Sequence, residues 1–145
     1  MIGLDTSFLV AVAVREHPLH APAWAVFDRD LRGRAGSVAL APQVLAEFVH
    51  VVTDASRFER PLSTEEALAI ADRWWTARET HQVEQGPDAV ALFFDWMAHH
   101  RLGRERLLDT LLAATYVAAG VRRIATSDWR DFAVYDGVEV VRLVA

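Results

Sequence analysis

The sequence predicts an α/β fold built on a mainly parallel sheet, on three observations. Short apolar runs of strand character alternate with runs whose apolar residues recur every three or four positions. The strand-like runs end at polar or acidic residues, among them Asp5 and Asp128, as the carboxyl ends of strands do where such folds carry sites. Pro, Gly and capping residues stand where the helical runs start and stop. At 145 residues and 52% hydrophobic content, the chain is expected to form a single domain spanning residues 1–145.

Taken in order, Met1–Leu4 reads as the first strand and Ser7 to about Val14 as an apolar helix. A second helix is expected after Pro18, with Trp24, Phe27 and Leu31 on one stripe. Ser37–Ala41 reads as a strand, Pro42 as a turn, and Gln43 to about Thr53 as a helix. Ser63 with Glu66 three residues later has the spacing of a capping box, opening a helix whose stripe is Leu68, Ala71 and Trp75. A brief strand is expected around Val83, then a break at Gly86 and a helix from Pro87 to a stop near Gly103. "RERLLDTLLAATYVAAG" reads as a helix closed by Gly120, "VRRIATSD" as a strand ending in a polar turn, and "VEVVRL" as the last strand.

Composition excludes several classes. Without cysteine there are no disulfides, thiolate metal sites or Cys nucleophiles, which fits a reducing cytosol. The opening residues lack the basic start of a signal peptide and nowhere do 18 apolar residues run unbroken, so a soluble, cytoplasmic protein without a membrane partner is expected. The net charge of −5 argues against nonspecific wrapping of nucleic acid. All fifteen cationic residues are arginine.

Four carboxylates stand in apolar company. Asp5 interrupts "MIGLDTSFLV", and an unpaired charge in such surroundings costs several kcal/mol unless it is paired, protonated or bound to a cation. Glu47 shares a helical face with Val44 and Val51, with an ion pair to Arg57 as the structural alternative. Asp109 lies near the start of its helix, where the helix dipole alone could account for it, and Asp128 could be an ordinary turn residue. If the four converge, mutual repulsion raises their pKa values unless a cation sits at the centre. Hard divalent ions such as Mg²⁺ or Mn²⁺ suit an all-oxygen donor set and would serve phosphoryl chemistry, with Ser7 and Thr126 holding the acids or water in place.

These segments resemble the PIN-domain ribonucleases, most closely the VapC-type toxins of bacterial toxin–antitoxin pairs. "LDTSFLV" is similar to the family's opening strand with its first acid, Asp5, and the hydroxyl of Ser7. "VLAEFVHVV" resembles the segment with the second acid, Glu47, and "LLDTLLAATYVAAGV" the helix with the third, Asp109. "IATSDWRDF" resembles the fourth segment, Thr126 and Asp128, with Asp131 three residues further on as an assistant or substitute. The resemblance implies an α/β/α sandwich, RNA cleavage dependent on Mg²⁺ or Mn²⁺, and a homodimer. It also implies a small cognate antitoxin that blocks the site; no DNA binding by this chain alone is expected.

Two rival readings have discriminating features. A receiver-type signalling domain also clusters acids around Mg²⁺ but needs a lysine at the end of its fifth strand, and this chain has none. A catalytically inactive module of the same fold would lack an acid, and all four are present. Zinc is disfavoured because adjacent His99 and His100 point about 100° apart on a helix, and His17 and His20 lack partners at ligand spacing. Arg101, Arg104, Arg106 and Arg130 are candidates for gripping RNA phosphates. Trp129 could stack on a base or pack, while Trp24, Trp74, Trp75 and Trp96 lie on stripes that fill seams or cover a partner.

Overall fold

The strands pair in the order β3-β2-β1-β4-β5, with β1 (Ile2–Leu4) at the centre of an all-parallel sheet. The computed structural model describes residues 1–144. β1 pairs on one side with β2 (Val38–Leu40), Ile2 opposite Val38, and on the other with β4 (Arg123–Thr126), Gly3 opposite Ile124. β3 (Thr80–Gln82) and β5 (Glu139–Arg142) form the edges. Parallel neighbours require crossovers, and right-handed ones place the helices that follow β1 and β2 on one face and those that follow β3 and β4 on the other. The result is three layers.

On the first face lie α1 (Thr6–Ala13), α2 (His20–Val26), α3 (Pro42–Val52) and α4 (Thr64–Thr76). α5 (Pro87–His99), α6 (Leu107–Ala118) and α7 (Trp129–Phe132) cover the second. β1, β2 and β4 are buried along most of their length, so their runs are apolar throughout. Phe8 of α1 and Phe48 of α3 are fully buried, each contributing roughly 1.5 to 3 kcal/mol relative to an exposed ring. Tyr116 of α6 is also fully buried; its hydroxyl donates to the Leu4 carbonyl at 2.6 Å and accepts from the Ala41 amide at 3.3 Å. That one side chain ties the carboxyl ends of β1 and β2 together. Gly3 makes room for it, since a Cβ there would lie 2.7 Å from the Tyr116 ring.

Several expectations need correction. Pro42 is the first residue of α3 and not a turn, a place where its missing N–H is no loss. The first strand ends at Leu4 as expected, and the first helix begins one residue early, at Thr6, because the Asp5 side chain caps it by accepting the Thr6 amide. Leu68 is 54% exposed; the buried stripe of α4 is Ala67 and Ala71, flanked by Ile70 and Trp74. The second helix starts at His20 and widens into a π-helical turn, Phe27–Leu31, which brings Leu31 into the core. α5 ends at His99, followed by a 3₁₀ turn, Arg104–Arg106. The brief strand expected around Val83 is β3, which ends one residue before it, and Val83 is buried just beyond the strand. The polar turn after β4 contains α7, which buries Phe132. Ser63 does accept from the Glu66 amide at 3.1 Å, and Gly120 closes α6 at φ 82°.

Candidate active site

The strand order reverses direction beside β1, which opens a crevice at the carboxyl ends of β1 and β4. Asp5 follows β1 and Asp128 lies two residues beyond β4, while Glu47 projects from α3 and Asp109 from the first turn of α6. All four line one cavity of about 340 Å³, together with Thr6 and Ser7. The topology thus gathers acids that are up to 123 positions apart in the chain (128 − 5).

Asp5 is the most enclosed of them. Its Oδ1 accepts the Thr6 amide at 2.8 Å, and its Oδ2 accepts the hydroxyls of Ser7 at 2.8 Å and Thr126 at 2.7 Å. The same hydroxyls serve a second purpose: Ser7 Oγ accepts the Ser127 amide and Thr126 Oγ1 the Asp128 amide, each at 3.0 Å. Asp5 and the Asp128 turn are therefore fixed by one network. Burial nonetheless raises the Asp5 pKa, outweighing three hydrogen bonds that lower it, with Glu47 adding repulsion.

Burial also pushes the Asp109 carboxyl up to about 7, and repulsion from Asp5 and Asp128 adds to this against the pull of Arg106. A helix dipole acting alone would have lowered it, so the dipole does not explain this acid. Asp128 is raised by burial first, then by Asp5 and Asp131. It occupies the N-cap position of α7 but makes no side-chain cap bond, so a capping role does not explain it either. Glu47 is held by the Thr6 hydroxyl at 3.2 Å and by Gln43 Nε2 at 3.2 Å, not by Arg57, which pairs with Asp54 at 3.4 Å. Among the described residues none of the four acids forms an ion pair.

The other sequence candidates fall elsewhere. Asp131 lies outside the cavity lining, with its carboxylate 3.8 Å from the Arg106 guanidinium. Arg106 is turned inward: it donates to the Asp131 carbonyl and to the Tyr135 hydroxyl, and its side chain is only 17% exposed. Its place among RNA-gripping residues is therefore corrected, because two partners from the chain beyond β4 occupy its guanidinium. Arg101, Arg104 and Arg130 are exposed and do not line the cavity. Trp129 has the Arg142 guanidinium 3.5 Å from its ring centre, so its face is covered by a cation. His17 Nδ1 accepts the Leu19 amide at 3.0 Å and the His20 ring bonds the Ala11 carbonyl, anchoring roles and not a metal set.

Sequence reasoning missed Thr6 and Gln43. Gln43 Nε2 also donates to the Leu108 carbonyl at 3.2 Å, beside Asp109, and its Oε1 accepts from Gln85, which in turn reaches Thr115 at 2.8 Å. This amide chain joins the second and third acids. Its one local signal was Gln43 lying four residues before Glu47, a single helical turn.

The donor set fits a hard divalent cation by chemistry and by charge: oxygen ligands only, like charges gathered without a counter-ion, and a carboxyl whose pKa is raised to about 7. As the side chains stand, no three acid or imidazole groups among the described residues are grouped closely enough to ligate one ion. The pocket can collect a cation and, beside it, a phosphodiester.

Comparison with known proteins places the chain. The family model described as the PIN domain matches residues 2–138. Ribonuclease VapC24 of Mycobacterium tuberculosis is 31% identical over 134 residues, covering 91% of this chain and 89% of that protein. The crystal structure of VapC20 from M. tuberculosis, titled a sarcin-ricin loop cleaving toxin, superposes with a TM-score of 0.74 at 19% identity, over 98% of this chain and 99% of that one. A toxin–antitoxin complex from Klebsiella pneumoniae gives 0.62 at 16% identity, covering 99% and 98%. With a fold shared along nearly its whole length and a family model spanning all four acids, the chain belongs to the PIN-domain family.

Proposed function

We propose that the protein is a divalent-metal-dependent endoribonuclease and the toxin of a toxin–antitoxin pair. The observation that carries this is the single cavity lined by Asp5, Glu47, Asp109 and Asp128, none of them in an ion pair among the described residues. The name of VapC24 adds ribonuclease activity, and the Klebsiella complex adds an antitoxin as partner.

Asp5, Asp109, Glu47 and Asp128 would hold Mg²⁺ or Mn²⁺. When bound, the ion supplies water activation at neutral pH and charge stabilisation on the phosphodiester. The chain's own residues keep the acids ready: Ser7 and Thr126 fix Asp5, Thr6 and Gln43 fix Glu47. Burial, with repulsion from Asp5 and Asp128, holds the Asp109 carboxyl toward its protonated form without a cation, so loading the site would release a proton. The antitoxin inhibits by placing an Arg or Lys among the acids, in competition with the ion.

A homodimer completes the reading. Val90 and Phe94 on α5, and Leu107 and Leu108 at the start of α6, are large apolar side chains left 40% to 65% exposed on two helices that pack together. Among the described residues no helix is long and apolar enough to cross a membrane, and the proposal places the protein in the cytoplasm with its RNA.

The test is cleavage of total RNA by purified wild type and Asp5→Asn with Mg²⁺, with Mn²⁺ and with EDTA. Wild type cleaves at defined positions only with metal, and Asp5→Asn falls by orders of magnitude while its circular dichroism stays native. Metal-dependent cleavage retained by the mutant would defeat the assignment.

A further inference from the structure

Four carboxylates in one cavity repel a polyanion, so an RNA chain on either side of the cleaved bond needs positive charge close by. Arg57 is the one arginine in the lining of the carboxylate cavity among the described residues. His17, Arg57 and Phe58 belong equally to a second, larger cavity of about 780 Å³, formed between the loop that follows α1 and the segment that joins α3 to α4. Two further arginines, Arg15 and Arg60, line that cavity and are exposed. Phe58, partly buried against the core, stands where the two cavities meet. Glu16 and Glu59 lie there too, so the excess of positive charge is small. Such a surface places a phosphate or two and does not attract nucleic acid at large, which agrees with the net charge of −5. Arg57 shares its charge with Asp54 at 3.4 Å, with side chains 59% and 31% exposed, and an ion pair so open exchanges readily for a phosphate.

Cations along a groove with an aromatic face beside them are what single-stranded nucleic acid binds. We infer that the second cavity is the subsite for the single-stranded RNA flanking the cleaved phosphodiester. Phe58 stacks on a base next to the cleavage point, and Arg57, Arg60 and Arg15 hold the phosphates that follow. The inference rests on the ribonuclease reading and names where its substrate lies, on the α1 and α3 side of the acids and away from the arginines before α6.

Binding can be read apart from cleavage with the Asp5→Asn protein and a fluorescein-labelled, mixed-sequence single-stranded RNA oligonucleotide, followed by anisotropy against salt. Phe58→Ala weakens binding roughly fivefold to 150-fold. Arg57→Gln and Arg60→Gln each flatten the dependence of log affinity on log salt by roughly 0.7. Arg122→Gln, at the opposite end of the sheet, leaves both unchanged. Arg60 is exposed, so its variant folds even if Phe58→Ala does not. Wild-type affinity and salt slope in the Arg57 and Arg60 variants would overturn the inference. So would variants that bind RNA normally and lose only the cognate antitoxin, which would make the groove a protein-docking surface. Weakened binding in these variants beside a wild type that cleaves no RNA would sink the nuclease reading and leave the groove standing.

Discussion

Two charged regions lie side by side near the start of α6, and the protein treats them in opposite ways. Around Arg106 the charge is met from several sides: the guanidinium faces the Asp131 carbonyl and carboxylate and the Tyr135 hydroxyl, which itself bonds Thr110 at 2.7 Å, and its buried Nε alone is left without a hydrogen bond among the described residues. The Tyr135 ring packs beneath the cation at 5.7 Å. One turn away Asp5 and Glu47 have hydrogen-bond donors, none of the four acids has an ion-pair partner among the described residues, and Asp5, Asp109 and Asp128 are all shifted toward their protonated forms. The first arrangement holds the fold together; the second is a strain the fold tolerates. A cluster of like charges that folding does not need is a place kept for a ligand.

The sharpest break in that contrast is Arg106→Ala. It strips the Asp131 carbonyl and the Tyr135 hydroxyl of a charged donor and removes packed methylenes, so stability to urea should fall by about 2 to 3 kcal/mol. An unchanged unfolding midpoint would return Arg106 to the surface role its sequence context indicated.

Asp109→Asn should act with the opposite sign. In EDTA it removes repulsion from Asp5 and Asp128, and after solvent screening of a group this open the gain is about 1 kcal/mol. Wild type recovers the difference on adding Mn²⁺, because an ion that binds only the folded state stabilises it, while the mutant gains little. If Asp109→Asn melts well below wild type in EDTA, the acid is a structural one.

The smallest effect is in pH. Asp5, Asp109 and Asp128 have folded pKa values above their unfolded ones, so the folded protein holds more protons. The stability this contributes is full below the unfolded carboxyl value near 4 and is lost as pH rises through the folded values, about 7 for Asp109. Asp30, Asp54 and Glu79 are shifted downward and lose their contribution only in stronger acid, outside that window, whereas His17, held down by burial and then by His20, opposes the trend inside it and is one group against three. Metal-free wild type should therefore melt higher at about pH 5 than at about pH 8, by a margin that shrinks in Asp109→Asn. A flat profile would mean that neither burial nor mutual repulsion holds these carboxyls toward their protonated forms.

What could be read from the sequence divides along the same line. The four acids were legible because a charge among apolar residues contradicts its own local surroundings, and that contradiction needs no structure to be seen. The alternation of strands and helices was legible because it is written in short-range periodicity. Arg106 was misread because an arginine just before a helix looks solvated until residues 131 and 135 are folded against it. Thr6, Gln43 and Gln85 were invisible because hydroxyls and amides are common on any surface; their partners lie 41, 65 and 30 positions away. Leu68 and α7 went astray for a related reason: a leucine on a stripe and a four-residue helix carry too little periodic signal to outweigh tertiary context.

The central place of β1 has a consequence for the making of the protein. Residues 2–4 leave the ribosome early, yet one of the two strands that flank them, β4, comes 119 positions later (Arg123 after Leu4). Asp5 waits equally long for the Thr126 hydroxyl, which lies 121 residues downstream. A nascent chain can therefore pair β1 with β2 and still present only half a pocket, with neither Thr126 nor Asp128 in place. The complete pocket forms late in synthesis and all at once, when β4 and the turn that carries Asp128 fold against β1.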